Sequence, residues 1–144
     1  MRRFVLGASL LAVSAPDLAH AHDLNGLWVN EAGSAVELNV SEGGTVSGHY
    51  RTELGKPDAD APFTLIGWVQ GDVIAFTVSF TGYDSITSWS GQLSEDEDGD
   101  FIRTLWHHTR DIVEEDEADH LWRSITAGAA TFRRVGADVE ITQD

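Results

Sequence analysis

Ser85, Thr87 and Trp89 stand two residues apart in the stretch Ser-Ile-Thr-Ser-Trp-Ser-Gly-Gln, and an extended chain carries all three on one side. Two hydroxyls followed by an indole offer hydrogen bonds beside a flat apolar wall. Such a face is too polar for an ordinary core, where an unpaired hydroxyl is costly, and suits a pocket for a small ligand with polar edges and an apolar body. The mixture recurs at the same spacing in Ile102, Thr104, Trp106 and His108, and again in Val46, Gly48, Tyr50 and Thr52. The chemistry these residues can do is recognition. No nucleophile elbow, phosphate-cradling glycine loop or metalloprotease helix occurs in the sequence. The acids fall in apparent loops or at outward positions, so no carboxylate pair is set for glycoside hydrolysis, and an enzyme is not expected.

Metal sites are equally unsupported. His107 and His108 are adjacent, so on a strand they point to opposite faces, and with His120 they have no cysteine to complete a zinc set. His108 is the one expected on the cavity side, as an ordinary hydrogen-bonded histidine. The acidic run Glu95 to Gly99 lacks the acid at Ser94 and the glutamate at Leu105 that a calcium loop needs.

These faces must be held by strands, and the chain reads as short strands punctuated by turns, with no helical period. The first carries Trp28 and Asn30 and ends at Glu31-Ala32-Gly33. Val36, Leu38 and Val40 alternate with polar residues in the second, which Glu42-Gly43-Gly44 closes. The others are expected over Thr45 to Thr52, Phe63 to Val69, Val73 to Phe80, Ser85 to Leu93, Phe101 to Thr109 and Ile125 to Arg134. Eight antiparallel strands joined by tight turns leave two exposed edges unless the sheet closes, so the expected fold is all-β, an eight-stranded up-and-down barrel whose interior has room for one small ligand. A two-sheet sandwich is the competing arrangement. Glu53 to Pro62 reads as a loop near one mouth, either a lid or a plain surface loop, and Asp111 to His120 as a solvated acidic segment.

Composition sets the outer bounds. With 144 residues, 42% hydrophobic and 23% charged, the chain suits one globular domain. A formal net charge of -15 repels nucleic acid and anionic membranes, neither of which is an expected partner. The basic start Met1-Arg2-Arg3, the apolar run Phe4 to Val13 and the small residues of Ala19-His20-Ala21 read as a signal peptide, residues 1–21, cut after Ala21. The run is too short to span a bilayer as a helix. A secreted or periplasmic protein is expected, with the barrel domain over 22–144. It has no cysteine, so no disulfide can staple it, and its stability must come from its core or from assembly.

In order and spacing, Gly26-Leu27-Trp28-Val29-Asn30, Gly33-Ser34, Gly48-His49-Tyr50, Thr87-Ser88-Trp89-Ser90-Gly91-Gln92, Trp106, Trp122 and Thr131-Phe132 resemble the avidin and streptavidin family. The resemblance covers nearly all of residues 22–144, and the ordered set is more specific than any one motif. It implies an eight-stranded barrel that binds biotin, as ligand and not as cofactor, at one open end. Asn30, Ser34 and Tyr50 match three donors to the ureido oxygen, which would work as an oxyanion hole does, by preplaced dipoles in a site without water. Thr52 matches the acceptor of one ureido N–H, Thr87 the hydroxyl near the ring sulfur, and Ser85 a donor to the tail carboxylate, with the Gly55-Lys56 backbone nearby. Phe80, Trp89, Trp106 and Trp122 match the aromatic box, with Phe80 standing where the family usually has tryptophan.

One position departs. Eight residues beyond the last tryptophan, where the family has aspartate or asparagine to accept the second ureido N–H, this chain has Ala130. A buried donor left unpaired costs about 1–3 kcal/mol, which weakens binding without abolishing it. The resemblance also implies that Trp122 reaches a neighbouring subunit's ligand, hence a homo-oligomer, dimer or tetramer. Two other functions remain open: a protease-inhibiting barrel that inserts His22-Asp23-Leu24-Asn25 into an enzyme, and a lipocalin-like carrier, which shares the Gly-x-Trp opening but wants a more apolar interior.

Overall fold

Every second residue of Thr45–Arg51 is buried, because one face of the strand meets the interior and the other meets solvent. The computed structural model describes residues 23–52 and 62–136. Its strands are β1 (Gly26–Asn30), β2 (Ala35–Val40), β3 (Thr45–Arg51), β4 (Phe63–Gln70), β5 (Val73–Phe80), β6 (Ser85–Asp96), β7 (Gly99–Arg110) and β8 (Ile125–Arg134). Each pairs antiparallel with the next. The last returns to the first through Trp28↔Arg134, Val29↔Arg133 and Asn30↔Phe132, so the sheet closes and leaves no edge strand. The up-and-down barrel is therefore the architecture, and the two-sheet sandwich is excluded.

The interior changes character along its length. Towards one end the inward positions are Trp28, Leu38, Val46, Ile74, Leu93, Ile102 and Phe132, all nearly without solvent exposure. Further along the same strands the inward sequence turns polar and aromatic, running from Ile102 to Thr104, Trp106 and His108 on β7. Apolar packing thus plugs one end and leaves the other to hold something else. The plug is reinforced by Arg134, whose guanidinium lies 4.3 Å from the centre of the Trp28 ring and pairs with Asp100 at 3.2 Å.

The segment before β1 is tied to this closed end. Leu24 is buried and its carbonyl accepts the Trp28 indole N–H at 3.0 Å. Asn25 Oδ1 accepts Val40 N–H at 2.7 Å, and the Asp23 and Asn25 carbonyls both accept from Arg134. Asp23 to Asn25 is thus engaged in its own fold, which disfavours insertion into a protease.

Two connections differ from expectation. Strands β6 and β7 run on to Asp96 and from Gly99, so the acidic turn shrinks to Glu97-Asp98; Asp96 Oδ1 accepts Asp98 N–H at 3.0 Å, and Gly99 takes φ +104°. The segment before β8, expected to have no helix, contains α1 (Glu114–His120) followed by a 3-10 turn over Leu121–Ser124. The helix buries none of its residues, so no apolar stripe marks it in the sequence. Its acids Glu114, Glu115, Asp116 and Glu117 crowd the first turn, where the helix dipole favours negative charge. The expected signal peptide and most of the 53–62 loop, with Gly55 and Lys56, lie outside the described residues.

Candidate ligand-binding site

The β1–β2 turn builds the first part of the site. Asn30 Oδ1 accepts the backbone N–H groups of Ala32 and Ser34, each at 3.0 Å, so the amide oxygen is committed to the turn and the amide nitrogen is left as the group to offer a ligand. The same turn brings Ser34, almost fully buried, to the Tyr50 phenol on β3, with which it shares a side-chain hydrogen bond. Burial raises the Tyr50 pKa above its usual value and the Ser34 bond partly offsets this, so the phenol keeps its proton at neutral pH. Asn30, Ser34 and Tyr50 come from three different strands or turns and line one cavity of about 600 Å³.

Strands β6 and β7 supply the facing wall as a ladder of inward pairs. Ser85 is opposite Arg110, Thr87 opposite His108, Trp89 opposite Trp106, and Gly91 opposite Thr104. Thr87 Oγ1 and His108 Nδ1 lie 2.6 Å apart in a hydrogen bond. Burial first, and then the charge of Arg110, hold the His108 pKa below its usual value. Trp89 stacks on Phe76 with ring centres 5.1 Å apart and tilts against Tyr50 at 5.3 Å, which fixes its plane. Phe80 meets Tyr50 edge-on at 5.5 Å and Phe63 at 4.9 Å.

Trp106 owes its position to a glycine. A Cβ added at Gly128, its partner on β8, would sit 2.4 Å from Trp106 Cζ2, so the indole can lie over β8 only because no side chain is there. Two residues further, Ala130 lines the cavity with a methyl, while its carbonyl accepts the Thr104 hydroxyl at 2.8 Å.

Nine of the ten residues expected from the sequence line this cavity: Asn30, Ser34 and Tyr50; Thr52 and Phe80; Ser85, Thr87, Trp89 and Trp106. Trp122 does not. It stands in the 3-10 turn before β8, 75% exposed and outside the cavity of its own barrel. The lining also includes Phe63, Tyr83, Arg110 and Thr126, which the sequence reading left out. Arg110 continues the inward face of β7 one residue beyond the expected limit at Thr109, and Thr126 falls within the expected strand Ile125 to Arg134, two residues before Gly128 on the same face, so period two alone points to both. His107 lies on the outer surface, and among the described residues no three histidines or acids converge as a metal set.

Comparison with known proteins gives one picture. The Avidin family model matches residues 18–135. The structure resembles xenavidin at 30% identity and TM-score 0.67, covering 80% of this chain and 99% of that one. It resembles a rhizavidin–biotin complex at 26% identity and TM-score 0.67, covering 79% and 94%. It also resembles a biotin binding protein from chicken at 27% identity and TM-score 0.69, covering 81% and 98%. By sequence match and by its closed eight-stranded barrel, the chain belongs to the avidin family.

Proposed function

We propose that the protein binds biotin in the open end of its barrel. The observation that carries this reading is the convergence of Asn30, Ser34, Tyr50 and Thr52 with Phe80, Trp89 and Trp106 on one cavity, in a chain similar to a relative solved with biotin. In this reading the Asn30 amide, the Ser34 hydroxyl and the Tyr50 phenol donate to the ureido oxygen, and Thr52 accepts one ureido N–H. The Asn30 amide and the Tyr50 ring are held by the β1–β2 turn and by aromatic packing before the ligand arrives, and the one local change needed is that the Ser34 hydroxyl turns its proton from the Tyr50 oxygen to the ligand. Phe80, Trp89 and Trp106 enclose the bicyclic rings, Thr87 faces the sulfur, and Ser85 donates to the tail carboxylate.

Ala130 is the weak point, because a methyl accepts no hydrogen bond from the second ureido N–H. Binding is therefore weaker than an aspartate at this position would give. Trp122 completes the box from a neighbouring subunit in a homo-oligomer. Its exposure in the single chain supports that role, as does the outer face of β4 and β7, where Ile66, Trp68 and Leu105 are each more than 60% exposed and await cover. The protein is exported by its N-terminal segment, with cleavage after Ala21.

Isothermal titration of the mature protein with biotin tests the reading. Saturation near one ligand per subunit, with nanomolar affinity or better, supports it. Absence of heat together with an unchanged melting temperature sinks it.

A further inference from the structure

The inward pairs of β6 and β7 form a scale of depth. From Trp89 and Trp106 to Thr87 and His108 is one step of two residues, and to Ser85 and Arg110 is two steps, so the arginine's rung lies about 13 Å from the tryptophan rung at the usual rise of an antiparallel strand. Arg110 is exposed at the mouth and lines the cavity, and among the described residues no ion pair engages it. Its charge reaches inward, since it contributes to the lowered pKa of His108. The cavity's carboxylate, Glu31, is already committed, with Oε2 accepting the Thr131 N–H at 2.9 Å. On a chain with a formal net charge of -15, Arg110 is the one arginine or lysine among the described residues that line the cavity, a local exception that favours one kind of ligand end.

We infer that Arg110 is a specificity-determining residue that selects ligands with a free carboxylate at the end of the tail, and so selects free biotin over biotin joined through an amide. This rests on the biotin reading of the cavity. With the rings at the tryptophan rung, a flexible tail of a few methylenes carries its end towards Ser85 and Arg110. There a carboxylate gains charge-assisted hydrogen bonds from the guanidinium, while a neutral amide gains only the Ser85 contact. Solvent at the mouth screens the interaction, so the preference is modest and depends on salt.

The test compares biotin with biotinamide by competition titration on the full mature protein, in low and high salt, for the wild type, R110Q and R110E. Wild type should prefer the acid about tenfold in low salt, R110Q should lose most of that preference by weakening the acid alone, and R110E should favour the amide. Equal binding of acid and amide by the wild type, or an unchanged ratio in R110Q and R110E, overturns the role of Arg110 while leaving biotin binding intact. Binding of neither ligand by the wild type overturns the biotin reading itself, and this inference with it.

Discussion

Single atoms decide how strongly this cavity can hold a ligand. Ala130 is the clearest case: its methyl lines the cavity while its backbone carbonyl is taken by Thr104. Ala130→Asp should tighten biotin binding by about tenfold to a hundredfold, the worth of one buried donor that finds its acceptor. The same change should lower the melting temperature of the unliganded protein, since it places a carboxylate on a buried wall. Titration and thermal melts on one sample check both signs; unchanged or weaker affinity would mean that residue 130 does not face the ureido group. His108 carries a pH signature. Its folded pKa is depressed from 6.5 by burial and by Arg110, so as pH falls the unfolded chain takes up this proton first. The stability it contributes is fully present above pH 6.5 and is lost as pH falls through the lowered folded value. Melting temperatures of wild type and His108→Leu should diverge across that acid window and run parallel above it. A constant difference at all pH values would show that the fold leaves the His108 pKa where the unfolded chain has it.

At the scale of elements, the site depends on strands crossing close together. Gly128 lets the Trp106 indole rest on β8, and a methyl there would meet the ring at 2.4 Å, well inside contact distance. A ring held by packing cannot step aside cheaply, so Gly128→Ala should destabilise the fold by about 1–3 kcal/mol and weaken ligand binding together. Chemical denaturation beside titration measures the two, and loss of neither would mean that the indole moves freely. Alternation made the strands readable in advance: Tyr50, Thr87, Trp89 and Trp106 fall on inward faces where the period places them. The helix over Glu114–His120 was not readable, because it buries nothing and so leaves no periodic apolar trace. Arg110 leaves an equally weak trace in the sequence. It ends a strand whose expected limit was one residue short, and a charged residue at a strand end looks like ordinary surface.

At the scale of the whole molecule, the exposed apolar surface bears on assembly. Without cysteine, and with Trp68, Leu105 and Trp122 each more than 60% exposed, a lone barrel leaves large apolar groups in water. In the proposed homo-oligomer, burial against further copies would remove that exposure and bring Trp122 to a second barrel's ligand. Trp122→Ala should therefore weaken biotin binding and shift the oligomer to smaller species at the same protein concentration, read by titration and by sedimentation. Smaller species with unchanged affinity would restrict the tryptophan to packing between subunits.

The sequence by itself determined the strand pattern and the inward faces, because alternation at period two is a local property that neighbouring residues impose. It determined which end is apolar, since the same strands pass from Val46 to Tyr50 and from Ile102 to His108 in order. Only the tertiary structure decided what meets what. Closure through Trp28 and Arg134, the Thr87–His108 bond, the indole of Trp106 over Gly128 and the place of Arg110 beside Ser85 depend on register between distant segments. A shift of one residue would turn every such side chain to the opposite face, and no single strand carries the information that forbids it.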